Sequence, residues 1–277
     1  MYILLSDNSK LYQQAAEQIQ TTLLADGIDN PIIISTAQAV NKNAIQPNDL
    51  IVALGQQAVA SSHYSFTQNT RLYSFLDKTQ VPATTSSPWA AIVIDQPLQR
   101  LFDVAGTIVS GRYRDRIIVA ISEDNHVLRK EIAELKQLPD ITLEVVLIND
   151  ASEPAKVIDK ALFNAGALLA VRDKKVWSGE NAKWMLYQSY KFNVPVVGYS
   201  KRFLKAGALV SVYTTLSQTA QKTAELIINW HQQQGALSQQ GIVYPDFDTE
   251  FNKNIARALK ITIPDILPEG EKTDVRD

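Results

Sequence analysis

The chain has 277 residues, of which 45% are hydrophobic and 20% are charged, a balance typical of a globular protein with one large domain or two of ordinary size. Its formal net charge of −2 provides no basic surplus to neutralise phosphates, so we expect no nucleic-acid partner. The sequence contains no cysteine, which excludes disulfides, thiolate nucleophiles and cysteine-based zinc sites. No apolar run reaches the roughly 18 residues of a membrane-spanning helix.

Short apolar runs alternate with amphipathic segments, a pattern that predicts βα units and parallel sheets. The N-terminal MYILLSDNSK lacks the basic and apolar regions of a signal peptide, so it is interpreted as a first strand. Predicted strands are residues 2–6, 31–35, 50–54, 71–75, 91–94, 116–122, 143–149, 167–171, 194–198, 208–212 and 241–244. Predicted helices are residues 9–24, 98–110, 128–138, 154–164, 179–192, 216–233 and 249–259. The charged tail, residues 270–277, is expected to be frayed.

The order of these elements predicts two successive α/β halves. The first five strands form one set, and a break at residues 110–115 precedes a second set that begins at Arg116. No low-complexity linker separates the halves, so we expect two Rossmann-like lobes with parallel sheets, joined by short connections. Two strands in the second half are joined only by YSKRFLKAG, residues 199–207, for which we expect a turn at the edge of a cleft.

Sequence patterns of catalysis are missing. There is no GxGxxG, no Walker A sequence and no GxSxG nucleophile elbow. His63, His126 and His231 lie in different segments without a partner at metal-ligand spacing, and His63 is expected in a loop. We therefore predict no catalytic residue, no metal and no cofactor, which favours a binding protein over an enzyme.

Polar or aromatic residues recur where the predicted strands end, and ligands of open α/β sheets bind outside those carboxyl ends. Aspartates suit a ligand ammonium group, whereas backbone N–H groups and serine hydroxyls suit a carboxylate. An amino-acid-like solute would fit, as would other polar solutes. Trp177 or Tyr12 could stack on the ligand, although Trp177 could equally cap the sheet edge. The candidate ligand-binding residues are Ser6, Asp7, Tyr12, Gly55, Gln56, Asp95, Gln96, Ser122, Asp173, Trp177 and Tyr199.

Residues 167–264 carry a resemblance to a known family. The order of strand, acidic turn, helix, VPVVG strand, short turn and AGALV strand is similar to that of the ABC transporter substrate-binding proteins whose better-known members bind tryptophan or tyrosine. The closing FNKNIARALKITIPDIL also resembles the ending of that family. Lys260 stands where the family often has glycine, and SSPWAAIVIDQP replaces its usual N-x-T-G.

The resemblance implies a type I periplasmic-binding-protein-like fold, with two lobes joined by three crossovers and closing on the ligand through a hinge. Lobe I would comprise residues 1–112 plus about 215–245, and lobe II residues 113–214 plus about 246–277. We expect a monomer exported to the periplasm, with the signal peptide removed from the chain, that delivers a small-molecule ligand to an ABC permease in the inner membrane. Two alternatives stay open: a periplasmic ligand-sensing subunit of a membrane sensor protein, and a cytosolic α/β enzyme.

Overall fold

A computed structural model describes residues 1–29, 31–83, 87–110, 112–149, 154–265 and 274–276, and in these ranges the chain forms two separate β-sheets flanked by helices. Contacts between residues divide it into two compact units. The first unit comprises Met1–Asp95 and Thr214–Phe247, and the second unit comprises Gln96–Tyr213 with the residues from Asp248 onward. The predicted α/β class with mostly parallel sheets is confirmed.

The strands and helices alternate along most of the chain. The first eight elements are β1 (Tyr2–Leu5), α1 (Lys10–Ala25), β2 (Ile33–Thr36), β3 (Ile51–Leu54), α2 (Gln56–Ser65), β4 (Arg71–Leu76), β5 (Trp89–Val93) and α3 (Leu98–Val109). The next seven are β6 (Arg116–Ser122), α4 (His126–Ala133), β7 (Thr142–Ile148), α5 (Pro154–Leu162), β8 (Ala165–Leu169), α6 (Gly179–Lys191) and β9 (Val196–Gly198). The last seven are α7 (Lys201–Ala206), β10 (Val210–Tyr213), α8 (Leu216–Gln232), β11 (Gly241–Val243), β12 (Asp248–Asn252), α9 (Lys253–Ala258) and β13 (Asp274–Arg276).

The first unit contains a six-stranded parallel sheet in the order β11-β5-β4-β3-β1-β2. Successive residues of a strand point to opposite faces, so Ile3 joins a core with α1 and α8, whereas Leu4 joins a core with α2. The hydroxyls of Ser74 on β4 and Thr223 on α8 share a buried hydrogen bond of 2.8 Å. Both faces of this sheet are therefore covered, as parallel sheets require.

The second unit contains a seven-stranded sheet in the order β13-β12-β10-β9-β8-β6-β7. Its strands pair in parallel except for β12, which runs antiparallel to β10 and pairs Tyr213 with Asp248. Helix α3 packs on β6, β8 and β9 of this sheet, and its apolar face, including Leu101, Phe102 and Ala105, is buried. The contacts of α3 place it in the second unit, whereas the sequence-based boundary put residues up to 112 in lobe I.

Four local predictions differ from the structure. The segment predicted as one helix over 249–259 is β12 followed by α9, because Asn252 accepts hydrogen bonds from the backbone of Asn254 and Ile255 and starts the helix only there. His63 lies in α2, not in a loop. The expected turn between β9 and β10 contains the six-residue helix α7, which ends at Gly207 with φ +113°. Residues 274–276 of the tail pair with β12 instead of fraying.

Candidate functional site

The carboxyl end of the first unit's sheet is built around the Ser6 hydroxyl. Ser6 Oγ donates a hydrogen bond to the Leu54 carbonyl at 2.9 Å and accepts one from the Ala58 backbone N–H at 3.0 Å. This predicted site residue is buried. It therefore ties the ends of β1 and β3 to the first turn of α2, and its hydroxyl already has a donor and an acceptor within the unit.

Gly55 and Tyr12 meet at the same sheet end. Gly55 precedes α2 with φ +86°, a conformation that only glycine adopts without strain. A Cβ atom there would lie 2.1 Å from the Tyr12 hydroxyl and 2.7 Å from Ser6 Oγ. Burial raises the pKa of the Tyr12 hydroxyl, with the hydrogen bond to Ser6 opposing it and the charge of Asp7 adding to it. The Tyr12 phenol therefore covers the backbone of Gly55 and is only partly exposed.

Asp7, Gln56 and Asp95 add polar groups to this end. Asp7 is exposed and accepts a hydrogen bond from the Ser9 backbone at 2.8 Å, and hydrogen bonds from Ser9 lower the pKa of its carboxyl. The exposed Gln56 accepts a 2.8 Å hydrogen bond from the Gln80 amide. Asp95 accepts one from the Lys78 backbone N–H. Asp7 and Gln56 are the predicted residues of this unit with the most accessible polar side chains.

Phe75 is a residue at this sheet end that the sequence did not reveal. Its φ of +59° is rare for a bulky residue, and the pairing of β4 with β5 shifts register between Ser74 and Leu76 around it. The Phe75 ring is partly buried against the same core as Tyr12. A bulge of this kind redirects a side chain. Strained backbone conformations cluster at functional sites, so the positive φ of Phe75 makes this residue a candidate for a functional role. Nothing in the letters YSFLD signals the bulge.

Asp173 organises the carboxyl end of the second unit's sheet. One carboxylate oxygen accepts hydrogen bonds from the Ser122 backbone N–H at 2.8 Å, the Ser122 hydroxyl at 2.7 Å and the Asn125 amide at 3.0 Å. The other oxygen accepts hydrogen bonds from the Lys175 and Val176 backbones. The Asp173 side chain is buried, at 3% exposure. Burial alone would raise its pKa, but the hydrogen bonds from Ser122, Asn125 and Val176 outweigh it and hold the pKa below its ordinary value.

Trp177 and Tyr199 present their rings differently. Trp177 is only 4% exposed, its Nε1 donates to the Ala120 carbonyl at 3.1 Å, and its ring meets Phe203 edge-on. The burial of Trp177 therefore fits the interpretation that it caps the sheet edge better than the interpretation that it stacks on a ligand. Tyr199 is partly exposed, packs on Phe203 at 4.8 Å between ring centroids, and carries the Arg172 guanidinium over its ring at 5.0 Å. Tyr199 is therefore the more accessible aromatic group here.

A second set of charged groups near this end was not predicted. The buried carboxylate of Glu250 accepts a hydrogen bond from the Tyr213 hydroxyl at 2.5 Å and forms an ion pair with Lys201 Nζ at 3.6 Å. Lys201 also lies 5.8 Å from the centre of the Tyr213 ring. The cluster involves β12, which the sequence had assigned to a helix, so the proximity of Glu250 could not be anticipated. Gln96, the remaining predicted residue, accepts a hydrogen bond from Arg100 at the start of α3.

The structure thus gathers the predicted residues into two groups, each within its own unit. Ser6, Tyr12 and Gly55 contact one another directly, as do Ser122 and Asp173. Within the described ranges, no three or more histidine, aspartate or glutamate residues lie close enough to hold a metal ion. In the same ranges no helix is long and apolar enough to cross a membrane.

No protein-family model and no curated protein matches the chain. Solved structures do share its fold. A ligand-free, open substrate-binding protein with adhesive properties from Clostridium difficile matches with a TM-score of 0.70 and 14% identity over 99% of both chains. An ABC domain from Streptococcus pneumonia in complex with L-Trp matches with a TM-score of 0.60 and 16% identity over 99% of both chains. A periplasmic ribose ABC transporter protein from Conexibacter woesei matches with a TM-score of 0.58 and 12% identity, over 94% of this chain and 93% of its own.

The sequence resemblance and these structural matches agree on the architecture. Because the matches extend over nearly the whole of both chains, they concern the complete order of elements and not a single βα unit. The chain therefore has the α/β, periplasmic-binding-protein-like fold of ABC transporter substrate-binding proteins.

Proposed function

We propose that this protein is the periplasmic solute-binding component of an ABC importer, and that it binds a small polar solute without covalent chemistry. The observation that carries the proposal is the fold, which it shares with substrate-binding proteins over almost its whole length. The ordered polar groups at the carboxyl ends of both sheets support it, since open α/β sheets bind ligands there. Its delivery partner would be a permease of the inner membrane.

The accessible residues at the two sheet ends are the proposed ligand contacts. In the first unit these are Asp7, Tyr12 and Gln56, and in the second unit they include Tyr199. An amino-acid-like solute could place its ammonium group near Asp7, because charge-assisted hydrogen bonds are the strong ones in such sites.

The buried predicted residues would act by holding the sheet ends in shape. Ser6, Ser122 and Asp173 already use their polar atoms within their own units. Gly55 supplies the backbone conformation at the start of α2, and Trp177 fills the space beside Phe203. Replacing these residues should therefore lower stability as well as ligand affinity, whereas replacing Gln56 should affect affinity alone.

Native mass spectrometry of freshly purified protein, followed by thermal shift with the twenty L-amino acids, D-ribose and D-allose, tests this function. A solute at 100 times its dissociation constant adds about 2.7 kcal/mol of stability, which corresponds to roughly 5–10 °C in Tm for a chain of this size. If neither a co-purified solute nor a shift from any panel member is found, the importer proposal fails.

Matched variants then locate the site on the first unit. Gln56 and Gln57 are adjacent, exposed and chemically identical, but only Gln56 was predicted to contact the ligand. We expect Gln56→Ala to weaken binding of the active panel member about tenfold, the typical effect of a lost hydrogen bond of about 1.4 kcal/mol. Gln57→Ala should change it less than twofold. Equal effects of the two substitutions would remove Gln56 from the proposed contacts.

A further inference from the structure

Arg71 is a buried cation at the amino end of β4, the opposite end of the strand from Phe75. Its side chain is only 1% exposed. One guanidinium nitrogen, Nη1, donates to the His63 carbonyl at 3.1 Å in the last turn of α2. The other two, Nε and Nη2, are buried and hydrogen-bond to no described residue. Among the described residues, no carboxylate forms an ion pair with Arg71.

Two more buried polar atoms without partners belong to residues that lie close to Arg71. Tyr73 follows two positions along β4, so its side chain lies on the same face of the sheet as that of Arg71, and its hydroxyl is fully buried and makes no hydrogen bond. Burial raises the pKa of this hydroxyl, and the nearby Arg71 guanidinium, through its charge and its contact with the hydroxyl, partly offsets the rise. The second of these atoms is Nδ1 of His63, the residue whose backbone carbonyl contacts Arg71.

Arg71 is the group of this cluster that carries a charge and can only donate. Arginine has only donors, whereas a tyrosine hydroxyl and a neutral histidine ring can each donate or accept a hydrogen bond. A buried charge without a counter-charge, and buried donors without acceptors, are both strongly destabilising. Water could accept these hydrogen bonds but would leave the charge uncompensated. The complement of the cluster is a small acceptor that carries negative charge.

We propose that Arg71, Tyr73 and His63 form a buried site for a small inorganic anion of the size of chloride, between β4 and α2 of the first unit. The site is separate from the proposed solute contacts, which lie at the carboxyl end of the same sheet, and it does not depend on the importer function. Its role is structural, because the anion neutralises Arg71 and satisfies donors that the fold buries.

The test follows thermal unfolding of the full chain while sodium gluconate is replaced stepwise by sodium chloride at constant ionic strength. We expect a saturable rise in Tm for the unaltered protein, since an anion that binds only the folded state stabilises it by mass action. The exposed Arg202 serves as the matched control, because Arg202→Gln removes the same charge from the surface. Arg202→Gln should leave the chloride response unchanged, whereas Arg71→Gln should abolish it.

Tyr73→Phe keeps the proposal testable if Arg71→Gln does not fold. Removal of one donor should weaken the apparent chloride affinity about tenfold while the chain stays folded. A crystal grown in sodium bromide should show an anomalous scattering peak within hydrogen-bonding distance of Arg71. The same Tm in chloride and gluconate, an unchanged response in Tyr73→Phe, or an ordered water without bromide at this position would each overturn the proposal.

Discussion

The substitution Asp173→Asn tests the central network of the second unit. Asp173 accepts five hydrogen bonds, from Ser122 (two), Asn125, Lys175 and Val176. An asparagine can accept at only one of the two oxygen positions, so its amide N–H groups would face donors at the other. If two of the charge-assisted bonds are lost at about 1.5–3 kcal/mol each, the free energy of unfolding should fall by about 3 kcal/mol or more.

Urea denaturation followed by circular dichroism and tryptophan fluorescence measures this loss, with the exposed Asp124→Asn as the matched control. Asp124 pairs with Lys175 at the surface, where solvent screens ion pairs and they contribute little to stability. Because the folded pKa of Asp173 is depressed, its charge stabilises the fold at neutral pH. That contribution is lost as the pH falls below the ordinary aspartate pKa of about 3.9 and through the folded value. A loss under 1 kcal/mol at pH 7, or a difference that stays constant between pH 7 and 3, would refute the reasoning.

Substitutions at three further positions, two of them compared with a control variant, test other features by the same denaturation measurement. Gly55→Ala should lower the free energy of unfolding by about 2–4 kcal/mol, because the new Cβ would meet a phenol oxygen 2.1 Å away in a strained backbone conformation. Gly27→Ala, also at positive φ but with open space, should cost only about 1–2 kcal/mol, and equal losses would contradict the steric argument. Phe75→Gly should be about 1 kcal/mol more stable than Phe75→Ala because glycine relieves the positive φ, and the reverse order would show that no strain is stored. Tyr213→Phe should cost about 1–3 kcal/mol through the lost hydrogen bond to Glu250, and no change would mean that this bond contributes nothing.

The α/β class could be predicted from the sequence because each buried strand appears in it as a short apolar run. Runs such as that of β6, Arg116–Ser122, are apolar on both faces, and the predicted bounds of this strand match the structure. The sequence contains no comparable pattern that shows which sheet α3 packs against. Its apolar face shows that the helix is packed, but nothing in residues 98–109 says against which of two similar sheets. The antiparallel strand β12 was hidden for the same reason, since its pairing with β10 joins segments far apart in the chain.

The ends of the strands could be predicted from the sequence, but the contacts of the side chains there could not. The pattern locates the ends of β3 and β6, so Gly55 and Ser122 were expected at those ends. Which side chains remain accessible depends on contacts between distant segments, such as the 51 positions that separate Ser122 from Asp173. Arg71 shows the same limit, because a charged residue at the start of a strand suggests exposure, whereas the folded chain buries it. No local pattern distinguishes these outcomes.

The division of the first unit between two stretches of chain has a consequence for its synthesis. Helix α8 covers α1, and β11 completes the sheet edge, yet both come from Thr214–Phe247, after most of the second unit. At about 5–20 residues per second, a ribosome needs roughly 8–30 s to translate the residues between these two stretches and the second stretch itself. During that interval, the core that α1 shares with the sheet lacks the α8 residues Ala220, Ala224 and Ile227. The core of the first unit therefore stays incomplete in the nascent chain until the stretch that ends at Phe247 has been made.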